Sequence, residues 1–266
     1  GAAMAQSSVT LFGVVDAGYS VGNGSVSNST AMRTDRIGSS RLGFRGVEDL
    51  GGGMRAEFWL EAGVANDSGA GSATNSNNQA VTGLTSAGTQ GLTFNRKSTV
   101  GLVGSMGEIR LGRDYSPQFY PDAQYDPFGT NGVASSLIAY GGGFAAVRAS
   151  NMIAYHSPNV GGVTVMLGTY MGENNTGGAA GKAGDGNGIH VRYAKGPLAL
   201  GIASSTTKTA LTTEVKTTTM GGSYNMGVAT VTFNSNTVSN TGAVDLEGMM
   251  IGAMIPMAGG TLKFSN

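Results

Sequence analysis

The sequence predicts an all-β fold, specifically a transmembrane antiparallel β-barrel, from three observations. First, stretches of about nine to eleven residues alternate apolar and polar side chains. That is the period of a pleated strand and the length a tilted strand needs to cross a bilayer. Second, tight glycine-centred turns alternate with long polar loops along the chain. Third, no run approaches the roughly 20 apolar residues of a membrane-spanning helix. Lipid offers backbone groups no hydrogen bonds, so a spanning sheet must close on itself and leave its long loops to one wet rim.

The tight turns fall at Glu48–Met54, Gly104–Glu108, Ser157–Val163, Ala194–Leu198, Tyr224–Val228 and Ile255–Thr261. The long loops lie near 20–36, 63–93, 114–147, 173–187, 207–216 and 236–246. In the first strand Val9, Leu11, Val15, Ala17 and Tyr19 share a face against Thr10 and Asp16. Next, Leu42 and Phe44 oppose Arg41, Gly43 and Arg45, and Ala56, Phe58 and Leu60 oppose Arg55, Glu57, Trp59 and Glu61. Ile109 and Leu111 oppose Glu108 and Arg110. Val163, Val165 and Leu167 alternate with Thr164 and Gly168, and Ile189, Val191 and Tyr193 with His190 and Arg192. Met249, Ile251, Ala253 and Ile255 form a late apolar row.

A water-soluble sandwich alternates in the same way. Two features weigh against it. Charges of both signs sit in mid-strand on the polar face, and the apolar face often ends in tyrosine, at Tyr19, Tyr155 and Tyr193. Lumen-facing charge and an interfacial aromatic girdle account for both. About thirteen strands are expected, the last being Thr261 to Asn266. Single-chain bacterial barrels use even numbers, so the expectation is a C-terminally incomplete chain.

Composition narrows the function classes. The 16 basic and 16 acidic residues balance, without the basic excess of a nucleic-acid binder. Cysteine is absent, which removes disulfides, cysteine–zinc sites and thiol catalysis. Ala3-Met4-Ala5 fits the A-x-A cleavage rule. Residues 1–5 therefore read as a signal-peptide remnant, with the barrel domain at 6–266 and export through the periplasm.

Four segments carry a more specific likeness: SSVTLFGVVDAGY (Ser7 to Tyr19), SRLGFRGVEDLGGGM (Ser40 to Met54), NRKSTVGLVGSMGEIRLGRDYSP (Asn95 to Pro117) and SNMIAYHSPNVGGV (Ser150 to Val163). In order and spacing they resemble the Gram-negative general-diffusion porins, in particular the trimeric 16-stranded porins of β-proteobacteria. The resemblance runs through essentially the whole chain. It implies 16 strands in the complete protein and a water-filled channel in the bacterial outer membrane for passive diffusion of small hydrophilic solutes and ions. The implied partners are two further copies in a homotrimer, and outer-membrane lipid and lipopolysaccharide. For the trimer contact it points to the early strands, with Leu11, Phe12 and Phe44 nearby.

The resemblance also implies that the third long loop, 114–147, folds into the lumen and faces basic wall residues. The matching wall positions are Arg41, Arg96 and Arg148. Period-2 parity agrees for Arg41 and Arg148, whereas Arg96 shares parity with Val100 and Leu102, so alternation favours Lys97 as the inward residue and Arg96 ranks first only by the resemblance. Asp114, Asp122 and Asp126 are the only carboxylates of that loop, and none follows from Pro127 to Val147. Several cations against few carboxylates predict an anion-preferring constriction. The opposing reading pairs these arginines with wall carboxylates such as Glu57, Glu61 or Glu108.

The rival functions are a substrate-specific channel or barrel enzyme on the same scaffold, or a secreted β-rich adhesin. An enzyme would use one of only two histidines, His156 and His190; both read as lumen or rim residues. An adhesin would show a fixed-period repeat. Thr176 to Ala183 misses the phosphate-loop spacing, and Gly184 to Gly188 is a single Gly-Asp unit rather than an array. No cofactor, metal or catalytic residue is expected.

Overall fold

The computed structural model describes residues 8–24, 28–79, 91–132, 134–136, 147–174, 178, 180–209, 212–241 and 245–266. The expected signal remnant at 1–5, positions 137–146 of the third loop and part of the 176–183 segment lie outside the described residues. The strands are β1 (Ser8–Val14), β2 (Ala17–Asn23), β3 (Asn28–Thr34), β4 (Arg41–Gly51), β5 (Met54–Ala65), β6 (Ala70–Gly71), β7 (Lys97–Gly104) and β8 (Gly107–Tyr115). After a short helix, α1 (Phe119–Tyr125), follow β9 (Arg148–His156), β10 (Val163–Tyr170), β11 (Gly186–Lys195), β12 (Leu198–Lys208), β13 (Glu214–Asn225), β14 (Thr230–Asn240), β15 (Leu246–Met257) and β16 (Gly260–Ser265).

Thirteen strands form one antiparallel path, β1-β4-β5 and then β7 to β16 in chain order, as the alternation predicts. β6 pairs with β5, and β2 with β3 makes a separate hairpin. β1 and β16 are the two edges of the sheet. The hairpins at one rim are tight. Gly51, Gly52 and Gly53, between β4 and β5, all have positive φ (76°, 62° and 79°), a conformation that glycine adopts without steric cost.

The outward face is a continuous apolar belt. Leu11 lies opposite Phe44, Phe58 opposite Val100, and Val100 opposite Leu111. The belt continues as Leu167 opposite Ile189, Val191 opposite Ile202, and Phe233 opposite Ile251. These side chains are bare: Leu11 is 63% exposed, Val100 54% and Ile251 57%. Meanwhile Thr219, Thr232, Asn234 and Asn236 are buried on the other face. Apolar outside and polar inside inverts a water-soluble sandwich and suits a wall between hydrocarbon and a wet lumen. Tyr155, Tyr193 and Tyr224 stand beside the tight turns on the outward parity, as a girdle requires.

The first strand departs from its expected form. Val9 to Tyr19 reads as one strand, but the chain breaks at Val15–Asp16 into β1 and β2. Asp16 causes the bend. Its carboxylate accepts hydrogen bonds from the backbone N–H groups of Arg36 (3.1 Å), Ile37 (2.7 Å) and Gly38 (2.7 Å), and its own N–H donates to Ser40 Oγ (2.9 Å). Phe12 also departs from the apolar exterior. It turns inward against Trp59, with ring centroids 5.1 Å apart.

Candidate functional site

After β8 the chain leaves the wall and crosses the inner side of the sheet. Ser116 N donates to Val147 O (3.1 Å), closing the neck of this excursion. α1 then seats on the far wall. Its Tyr125 ring lies over Gly201 of β12 and Gly221 of β13, which are cross-strand partners. A Cβ at Gly221 would fall 2.7 Å from Tyr125 Cδ2, and one at Gly201 2.9 Å from Tyr125 Cε2, so both positions must lack a side chain. Asn234 of β14, opposite Gly221, donates to Asp122 Oδ1 (2.9 Å). Pro127 packs over Gly252 of β15, and Ser265 Oγ of β16 donates to Ala134 O (3.2 Å). Tyr120 stacks on His190 at 5.1 Å and meets the edge of His156 at 6.3 Å.

Opposite this loop the wall is basic. A cavity of about 390 Å³ is bounded by Arg41, Trp59, Glu61, Arg96, Lys97, Arg110, Asp114, Tyr115, Tyr120 and Arg148. Glu61 takes Arg96 Nε at 2.6 Å and lies 3.7 Å from Arg41 Nε. Arg41 also donates to Ser39 O (2.8 Å). Asp114 holds Lys97 at 2.9 Å and Arg110 at 2.6 Å, while Glu108 accepts two bonds of 2.7 Å from Arg110. Arg148 lies 5.0 Å from the Tyr115 ring centroid and has no carboxylate partner among the described residues. Lys97 lies over Trp59 at 5.1 Å.

All four basic candidates, Arg41, Arg96, Lys97 and Arg148, thus border one cavity. The choice between Arg96 and Lys97 dissolves. Arg96 stands just before β7, outside its alternation, and Lys97 is the first inward residue of that strand. The acidic candidates are placed differently from the expectation that they face the cations from the loop. Asp114 belongs to β8, because Lys97 and Arg110 hold it on the wall and a register shift between Gly112 and Asp114 accommodates it. Asp122 turns away to Asn234; burial pushes its carboxyl up to about 7, the Asn234 bond opposes the rise and Asp126 adds to it. Asp126 accepts from Phe128 N (2.7 Å), Ser136 N (2.7 Å) and Ser136 Oγ (2.8 Å), tying the loop to itself. The carboxylates that bound the cavity are Glu61 and Asp114.

Sequence reading missed Arg110 as a lining residue, although its parity against Ile109 and Leu111 was visible. Glu61 had been weighed only as a wall partner. The glycine seat at Gly201 and Gly221 left no local signal. Neither histidine is hydrogen-bonded to a hydroxyl or carboxylate among the described residues; His156 ends β9 and His190 stacks on Tyr120.

An apolar-belted antiparallel sheet with its own loop folded across a charged inner wall defines a membrane diffusion channel. The chain belongs to the Gram-negative porin family, whose model matches residues 1–265. Outer membrane porin protein 32 of Delftia acidovorans is 36% identical over 277 residues, which span 97% of this chain and 73% of that protein. An outer membrane porin of Bordetella pertussis is 31% identical over 185 residues, covering 63% of this chain and 44% of that one. Among solved structures, the anion-selective porin from Comamonas acidovorans superposes with a TM-score of 0.79 at 33% identity, covering 98% of this chain and 78% of its own. The Salmonella typhi OmpF complex with daunomycin shares the fold, with a TM-score of 0.68 at 14% identity and coverage of 97% and 77%. The protein is an outer-membrane porin, a channel for passive diffusion.

Proposed function

We propose that this porin prefers anions, and that the cavity between β4, β5, β7, β8, β9 and α1 is its constriction. One observation carries the reading. Five cationic side chains bound the cavity against two carboxylates, and both carboxylates are already engaged in ion pairs. Confinement lowers the effective dielectric, so the unbalanced positive charge attracts anions and repels cations more strongly than it would in open water. The partial neutralisation by Glu61 and Asp114 keeps the site from holding an anion so tightly that it cannot leave. The anion selectivity named for the Comamonas acidovorans porin supports the same direction.

The reading includes a homotrimer embedded in outer-membrane lipid and lipopolysaccharide. The bare outward residues of β1 and β4, among them Leu11 and Phe44, supply an apolar surface suited to contact between copies. It includes no catalytic step. The test is the zero-current potential of the protein, purified from its outer membrane, in a planar bilayer under a KCl gradient. Chloride preference supports the proposal. Potassium preference overturns the charge argument, and absence of conductance from a heat-modifiable, folded barrel overturns the open channel.

A further inference from the structure

On the outward face of the sheet, away from the lumen, one position interrupts the apolar belt. Gly222 of β13 lies between Leu200 of β12 and Phe233 of β14 in the cross-strand register, and Met220 and Tyr224 flank it on the same face of its own strand. Four large apolar side chains thus surround a position that has none. The backbone does not demand glycine there, since the φ of Gly222 is not positive. The missing side chain opens a groove of about 720 Å³, whose mostly apolar walls also include Leu198, Ile202 and Ile251. A glycine inside a strand often marks a place that another molecule approaches closely.

The groove runs from the level of Leu198 and Tyr224 to that of Ile202 and Met220. Four residues of strand rise about 14 Å, within the roughly 15 Å of hydrocarbon in one leaflet. Tyr193 and Tyr224 of the girdle border it, so it belongs to the leaflet on the tight-turn side, the periplasmic side in barrels of this kind. One cation stands at its mouth. Lys195 follows Val191 and Tyr193 on the outward parity of β11 and is the register partner of Leu198. It is exposed and forms no ion pair among the described residues. The turns Ala194–Leu198, Tyr224–Val228 and Ile255–Thr261 contain no carboxylate, and Lys195 is their only charged residue. Elsewhere on the same rim the turns are acidic, with Glu48 and Asp49 between β4 and β5 and Glu108 after β7. A lysine at this depth reaches the headgroup layer with its ammonium and keeps its stem on apolar surface. An acyl chain below an anionic headgroup matches this pairing of groove and cation.

We propose that the groove around Gly222 seats one glycerophospholipid of the periplasmic leaflet, with an acyl chain laid between β12 and β14 and an anionic headgroup at Lys195. The site rests on the belt being the lipid-facing wall of a folded barrel; failure of that reading would show as loss of heat-modifiable migration, not as loss of lipid alone. β1 and β4, which the trimer reading assigns to contact between copies, lie far along the strand path from β13, so the seat stays open to lipid in a trimer. It differs from the rest of the belt in having both depth and a fixed charge.

Phosphatidylglycerol and phosphatidylcholine of equal chain length are the probes. Protein purified from its outer membrane in mild detergent should retain one phosphatidylglycerol per barrel in native mass spectra, about fivefold more than phosphatidylcholine, as one interfacial lysine provides. Lys195→Gln, at an exposed position beside a turn, should level the two lipids. Gly222→Leu fills the groove. Its Cβ meets the tip of Leu200 (Cδ2, 2.8 Å) and Ala199 O (3.1 Å), and the leucine tip can swing aside. This variant should lose both lipids while heat-modifiable migration confirms the barrel. In liposomes, phosphatidylglycerol with a photoreactive acyl chain should label segments 198–202 and 220–224 above the rest of the belt, and Gly222→Leu should erase that preference. Equal retention of the two lipids by the wild type overturns the proposal, as does a preference that persists in Lys195→Gln. Undiminished retention in folded Gly222→Leu overturns it too. So does wild-type labelling spread evenly along the belt, a result that needs no variant to fold.

Discussion

Arg148→Gln removes the cation of the basic cavity that has no carboxylate partner among the described residues, while Glu61→Gln removes a carboxylate that partly neutralises Arg41 and Arg96. Glu61→Gln keeps the size and shape of the side chain and Arg148→Gln keeps a planar polar group on a shorter stem, so they differ mainly in the sign of the charge lost. An ion about 6 Å from that charge gains or loses ~0.7 kcal/mol at the dielectric of water and ~3 kcal/mol at an effective value of 20. The lower figure is about threefold in the local population of one ion; because it acts oppositely on chloride and potassium, their ratio shifts by about tenfold. Screening over a Debye length of about 10 Å at 0.1 M reduces this, so a three- to tenfold change in the permeability ratio is expected. The assay is the zero-current potential under a KCl gradient at low and high salt. Arg148→Gln should move it toward zero, and Glu61→Gln away from zero in the anion-selective direction. Shifts of the same sign in the two variants, or no shift in either, refute the electrostatic reasoning.

Three further outcomes follow from the wall and its loop. Gly221→Val places a methyl-bearing carbon where Tyr125 now rests, 2.7 Å from its Cδ2; α1 should lift, and single-channel conductance and the size limit in liposome swelling should rise. Asp122 binds its proton more tightly folded than unfolded, so its contribution to loop docking is complete below the ordinary carboxylate range and is lost as pH rises through about 7. Closure fluctuations in single-channel records should therefore grow from pH 5 to pH 8, and Asp122→Asn should remove that dependence. Ile251→Arg puts a charge on the apolar belt at a cost of about 2–4 kcal/mol near the bilayer midplane, which should lower the temperature at which the folded band is lost in detergent gels.

Period-2 alternation was enough to read the thirteen-strand path and the apolar belt, because each depends on neighbours one or two residues away. The bend at Asp16 was not legible, since it needs the N–H groups of Arg36, Ile37 and Gly38 some twenty residues later. Asp114 was read as loop for a similar reason: only Lys97 and Arg110 of neighbouring wall positions reveal it as strand. The seat of α1 is the extreme case. Gly201 and Gly221 look like any strand glycines until Tyr125 is laid across them.

That seat dictates an order of assembly. Asp122 and its partner Asn234 are 112 residues apart in the chain, and Tyr125 needs β12 and β13 already side by side. Contacts of such sequence separation are reached late, after the local hairpins have formed. A wall that is still zipping up offers α1 nowhere to land, so docking of the helix reports that β12, β13 and β14 have already paired.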